Sequence, residues 1–107
     1  MIRVVFFRGG GGALQGFHLS GHAGAQEHGK DIVCAAVSSA AYMTVNTITD
    51  VLFAKPLALE AQDGDMRLEL SSQDSGNART VLEGFRLHME ELAGQYPKNI
   101  QVSFAKA

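Results

Sequence analysis

Cys34, the chain's single cysteine, follows His22 within the run GHAGAQEHGKDIVCAAVS. A thiol and an imidazole are the parts of nucleophilic acyl transfer. The thiolate attacks a carbonyl carbon, and the imidazole takes the thiol proton and later returns one to the leaving amine. The connection Ala23 to Lys30 is long and glycine-bracketed, so it can fold the chain back and bring His22 to the start of the following helix. With Asp31 as the N-cap of that helix, Cys34 falls in its first turn. Unpaired backbone N–H groups and the positive end of the macrodipole there favour a thiolate and offer donors to an oxyanion. The Asp31 carboxylate opposes thiol ionisation, and a cationic His22 offsets it. The competing reading is structural. Cys34 is in line with Val37, Ala41, Val45, Ile48 and Leu52 along one apolar helix face, a place for a buried, inert cysteine.

Two other motifs fail on geometry. A phosphate-cradling glycine loop feeds a helix N-terminus and commonly supplies a lysine, whereas Gly9 to Gly12 connect two strand-like segments and read as a hairpin turn. His18, His22, His28 and Cys34 suggest zinc. However, four residues of strand span about 13 Å, and zinc ligands lie within about 2 Å of the ion. No metal site is expected. His18 reads as a strand-surface residue, His28 as a solvated loop residue and His88 as part of a helix face.

The elements that must position the pair follow from periodicity. Ile2 to Arg8 is β-branched and aromatic, and Ala13 to Ser20 alternates, so both read as strands. A helix-compatible stretch runs from Asp31 to about Ala54, stopped by Lys55-Pro56. Leu57 to Gln62 and Met66 to Ser71 flank Asp63-Gly64-Asp65, whose Asp-Gly pair signals a hairpin. Val81, Leu82, Phe85, Met89, Leu92 and Tyr96 recur at helical spacing, with Asp74 or Ser75 as the cap and Tyr96-Pro97 as the stop. Ile100, Val102 and Phe104 make a last strand. The expected architecture is an α+β fold in ββαββαβ order, a largely antiparallel sheet packed with two helices, forming one domain over residues 1–107.

The chain has 107 residues, 46% of them hydrophobic, enough to bury a core without disulfide or metal support. A single cysteine forms no internal disulfide, which suits a reducing interior, and no leader-like segment is apparent, so a cytoplasmic location is expected. No uninterrupted apolar run approaches the roughly 20 residues that cross a membrane, and no membrane association is expected. Net charge is −2 with the nine basic residues scattered, so there is no basic footprint for nucleic acid.

Gly21-His22-Ala23 and then Gly29-Lys30-Asp31-Ile32-Val33-Cys34-Ala35-Ala36-Val37-Ser38 resemble the signature of the ribosomal-processing cysteine protease family Prp, also called YsxB-like proteins. The resemblance extends to length and element order, with the distinctive residues confined to 21–38. It implies a small bacterial α+β protein, a homodimer, that removes a short N-terminal extension from a large-subunit ribosomal protein. It implies His22 and Cys34 as the catalytic pair, without cofactor. The family's glycine before the histidine falls on Gly21, its acidic residue before the cysteine on Asp31 and its serine one turn later on Ser38. Asp31 either caps the helix or orients His22 or the substrate, and Ser38 either hydrogen-bonds the substrate or packs. The Ala23 to Lys30 segment is expected to act as a lid over bound peptide. The principal rival is a non-catalytic, ribosome-associated binding module with a structural buried cysteine. A thiol redox sensor is a second rival, weakened by the want of a resolving cysteine.

Overall fold

The structure, a computed structural model, describes residues 1–22, 28–62 and 64–107, with residues 28–31 as backbone. Five strands form one mixed sheet in the order β3-β4-β2-β1-β5. β1 (Ile2–Arg8) and β2 (Leu14–Ser20) are antiparallel, joined through the glycine turn. Within that turn the Gly9 N–H donates to the Ala13 carbonyl at 2.8 Å and the Gly12 N–H to the Gly9 carbonyl at 2.9 Å. The hairpin reading therefore holds. β3 (Ala58–Gln62) and β4 (Asp65–Glu69) pair antiparallel from Gln62↔Asp65, so the hairpin that the Asp-Gly pair predicts is present. β4 also pairs antiparallel with β2. β5 (Ile100–Lys106) pairs parallel with β1, which makes the sheet mixed at that edge.

Alternation along the strands sorts the side chains. Opposite partners share a face, so the pairs Val4↔Leu19, Phe6↔Phe17, Phe17↔Leu68 and Leu19↔Met66 put one buried apolar layer on one side of the sheet. Val5, His18 and Arg67 line up on the other, where His18 Nε2 meets Asp65 Oδ1 at 2.6 Å. His18 is thus a strand-surface residue, as expected.

Helices cover the apolar layer. α1 (His28–Asn46) buries Val33, Val37, Ala41 and Val45, a spacing of three and four residues that makes one stripe. α3 (Arg79–Gln95) buries Leu82, Phe85, Met89 and Leu92. The rings of Phe17 and Phe85 lie 4.7 Å apart and those of Phe6 and Phe85 5.6 Å apart, edge to face, joining sheet and helix.

The structure corrects several helix expectations. α1 starts at His28, so His28 belongs to a helix rather than a loop, and Asp31 lies inside the first turns instead of capping them. The helix leaves α geometry at Asn46 and passes through a π-helical turn, Thr47–Val51. The extra residue in a π turn shifts the apolar repeat out of phase. Leu52, expected on the buried face, is therefore exposed. A third helix, α2 (Ser72–Asn77), precedes α3 where one continuous helix was expected. Gly76 and Asn77, both weak helix formers, sit at the break. The α2 cap is Ser71, whose hydroxyl accepts from the Asp74 N–H at 3.1 Å, rather than Asp74 or Ser75. The helical stretch Ile32–Val51, 20 residues long, contains a window of mean hydropathy 1.4 and meets the length and composition of a membrane span, although Ser, Thr, Asn46 and Asp50 interrupt its apolar residues. Its Val33, Val37, Ala41, Val45 and Ile48 are core residues of the domain. The expected lid falls partly on residues 28–30, which are helical, and partly on 23–27, which lie outside the described residues.

Candidate active site

A cavity of about 230 Å³ opens between α1, the end of β2 and the β3–β4 hairpin. Cys34 and Ser38 reach it from α1, Gly21 and His22 from the end of β2, and Gly64 from the hairpin. Cys34, Ser38 and Tyr42 are each four residues apart and so stand above one another on one helix face. Val37 and Ala41 form the inner edge of that face and join the cavity floor to the core. Cys34 is half-buried at this border: it packs against the core cluster and lines the cavity. The structural reading of the cysteine and the chemical one meet at a single position.

His22 follows β2 directly, and its backbone is held from two sides. The Met1 nitrogen donates to the His22 carbonyl at 2.6 Å. The N–H of the preceding Gly21 donates to the Gly64 carbonyl at 2.9 Å. Gly21 itself has φ +90°, and a Cβ there would run into the Met1 carbonyl oxygen. Glycine is required by both the dihedral and the close backbone approach.

Of the residues expected at the site, Gly21, His22, Cys34 and Ser38 come together in this cavity. Asp31 is placed only by its backbone in α1, and its carboxylate lies outside the described residues. One electrostatic expectation is corrected. With α1 beginning at His28, Cys34 sits in the second turn, past the terminal N–H groups and beyond the reach of the macrodipole's end. Among the described residues no group of three or more His, Cys, Asp or Glu is placed to hold a metal ion. Sequence reasoning missed Tyr42 and the hairpin's contribution. Tyr42 was legible as the residue two helical turns beyond Cys34. Gly64 had no local signal beyond its turn, because its nearness to His22 arises from the pairing of β2 with β4.

A thiol and an imidazole on the walls of one open cavity, in a mixed α+β frame, are the groups that a thiol-dependent hydrolase uses. The cysteine protease Prp family matches the chain over residues 1–101, and the chain belongs to that family. It is a cysteine protease whose relatives act in ribosomal processing. The ribosomal processing cysteine protease Prp of Bacillus subtilis is 27% identical over 108 residues, covering 96% of each chain. That of Staphylococcus aureus is 27% identical over 88 residues, covering 80% of this chain and 82% of the relative. Among solved structures, SMU.848 from Streptococcus mutans superposes with a TM-score of 0.83 at 32% identity, over 100% of this chain and 96% of the other. The Staphylococcus aureus Prp structure with a covalently linked product peptide gives a TM-score of 0.86 at 24% identity, covering 98% of this chain and all (100%) of the other, a likeness of fold.

Proposed function

We propose that this protease removes a short N-terminal extension from a large-subunit ribosomal protein, with Cys34 as nucleophile and His22 as its acid–base partner. The observation that carries the reading is that both side chains line one cavity together with Gly21 and Ser38. His22 takes the Cys34 thiol proton as the sulfur attacks the scissile carbonyl carbon, and the carbonyl π pair moves to oxygen. As that pair returns, the C–N bond breaks and the imidazolium proton passes to the leaving amine. Water then adds to the thioester, giving its proton to His22. The C–S bond breaks, the imidazolium proton returns to the sulfur, and the acid product leaves and ionises to its carboxylate in water. No step calls for a metal or cofactor.

The covalently linked product peptide in the Staphylococcus aureus relative supports a covalent route, and the substrate peptide in another structure of that protein supports a peptide as ligand. Ser38, one turn beyond Cys34, is assigned to the substrate backbone, and Asp31 to orientation near the helix start. The protein works as a homodimer in the cytoplasm, a location that suits a chain whose one cysteine can form no internal disulfide. The test is incubation with the large-subunit ribosomal protein carrying its N-terminal extension, read by intact mass. The expected result is a single shortened product whose formation requires Cys34. An unprocessed substrate after prolonged incubation with an alkylatable, folded protease would overturn the reading.

A further inference from the structure

The β3–β4 hairpin touches the site through one residue that has no side chain. Gly64 has φ +76°. A Cβ on it would stand 2.6 Å from Nε2 and 2.8 Å from Cε1 of the His22 ring, distances no real Cβ tolerates. The imidazole therefore lies flush against the Gly64 backbone. The same residue's carbonyl accepts the Gly21 N–H at 2.9 Å, so backbone and ring of the histidine segment are both referred to this turn. His22 is exposed overall, and so the bare face at residue 64 is a principal wall against which its ring can rest.

We propose that Gly64 is a positioning residue: the missing side chain is a seat for the His22 imidazole, and filling it displaces the ring from its place on the wall of the cavity that Cys34 also lines. This rests on the assignment of His22 as the acid–base partner. The displaced atoms would be the far end of an exposed side chain, which can swing away. The fold yields easily while the chemistry does not, and that asymmetry separates a seat from an ordinary turn glycine.

Two substitutions distinguish the roles. Gly64→Ala adds a Cβ and is strained at positive φ, whereas Gly64→Asn adds a Cβ but suits the left-handed region better. A glycine needed only for the turn would be rescued by asparagine, and a glycine needed as a seat would not. The expected result is that both variants fold, with Gly64→Asn the closer to wild type in Tm. Both should lose roughly 10- to 100-fold in kcat, the scale of loss from a misplaced catalytic group, with KM little changed. The pH profile of Cys34 alkylation should move toward that of His22→Ala, and adding Gly64→Ala to His22→Ala should cost no further activity. Wild-type cleavage and alkylation profiles in Gly64→Asn, with His22→Ala inactive, would overturn the seat while leaving the dyad intact. Wild-type cleavage by His22→Ala would overturn the dyad itself, and the positioning role with it.

Discussion

The backbone N–H of Gly21 donates to the carbonyl of Gly64 at 2.9 Å, so the end of β2 and the β3–β4 turn are fastened together one residue before the histidine. His22 owes its place to this join, since residues far apart in sequence meet there through the β2–β4 ladder.

Gly21 should accordingly be intolerant of any side chain. At φ +90° an alanine is strained by about 1–3 kcal/mol, and its Cβ would meet the Met1 carbonyl, a backbone atom that cannot swing aside. We expect Gly21→Ala to lower the urea midpoint and the cleavage rate together. An unchanged midpoint would show that β1 moves to make room.

Removal of the reacting groups should leave the fold standing. Cys34 is half-buried at the cavity wall and His22 is exposed, so Cys34→Ala and His22→Ala cost little packing. Cleavage should vanish in the first and fall by about 100- to 10,000-fold in the second, with circular dichroism unchanged. Iodoacetamide should label the His22→Ala thiol more slowly than the wild-type one. Turnover by Cys34→Ala would end the covalent mechanism.

Ser38 lines the cavity one turn from Cys34 but takes no part in the proposed bond changes. If its hydroxyl holds the substrate backbone, Ser38→Ala forfeits one neutral hydrogen bond, about 0.5–1.5 kcal/mol. That should appear in KM, with iodoacetamide labelling of Cys34 unaffected. Ser38→Leu should obstruct the peptide more severely. Equal KM in wild type and Ser38→Ala would reduce the serine to packing.

Phe17 is fully buried where sheet meets α3, with rings of Phe6 and Phe85 at 6.3 and 4.7 Å. Phe17→Ala should destabilise by about 3–5 kcal/mol, a large share of the total stability of a small domain. Urea titration would read this as a lower midpoint. A loss below about 1 kcal/mol would mean that the core collapses around the gap.

Local pattern determined much of this protein. The β-branched and aromatic run Ile2 to Arg8, the alternation from Ala13 to Ser20, the Asp-Gly pair before Asp65 and the helical spacing from Cys34 to Val45 depend on neighbours within a turn or a strand, and strands, a hairpin and a helix formed over them. Four residues that line the cavity, Gly21, His22, Cys34 and Ser38, also stood out in the sequence, through a run of family-like residues whose chemistry a reader can name before seeing them meet. Three things were decided only by the tertiary structure. The parallel seating of β5 on β1 depends on which edge its hydrogen bonds find, a choice the strand's own residues do not encode. The π turn after Asn46 and the break after Gly76-Asn77 balance small local propensities against packing, and packing won. The seat for His22 at Gly64 comes from long-range register: β2 and β4 lie side by side, and a glycine needed for its turn also leaves the space in which an imidazole can lie.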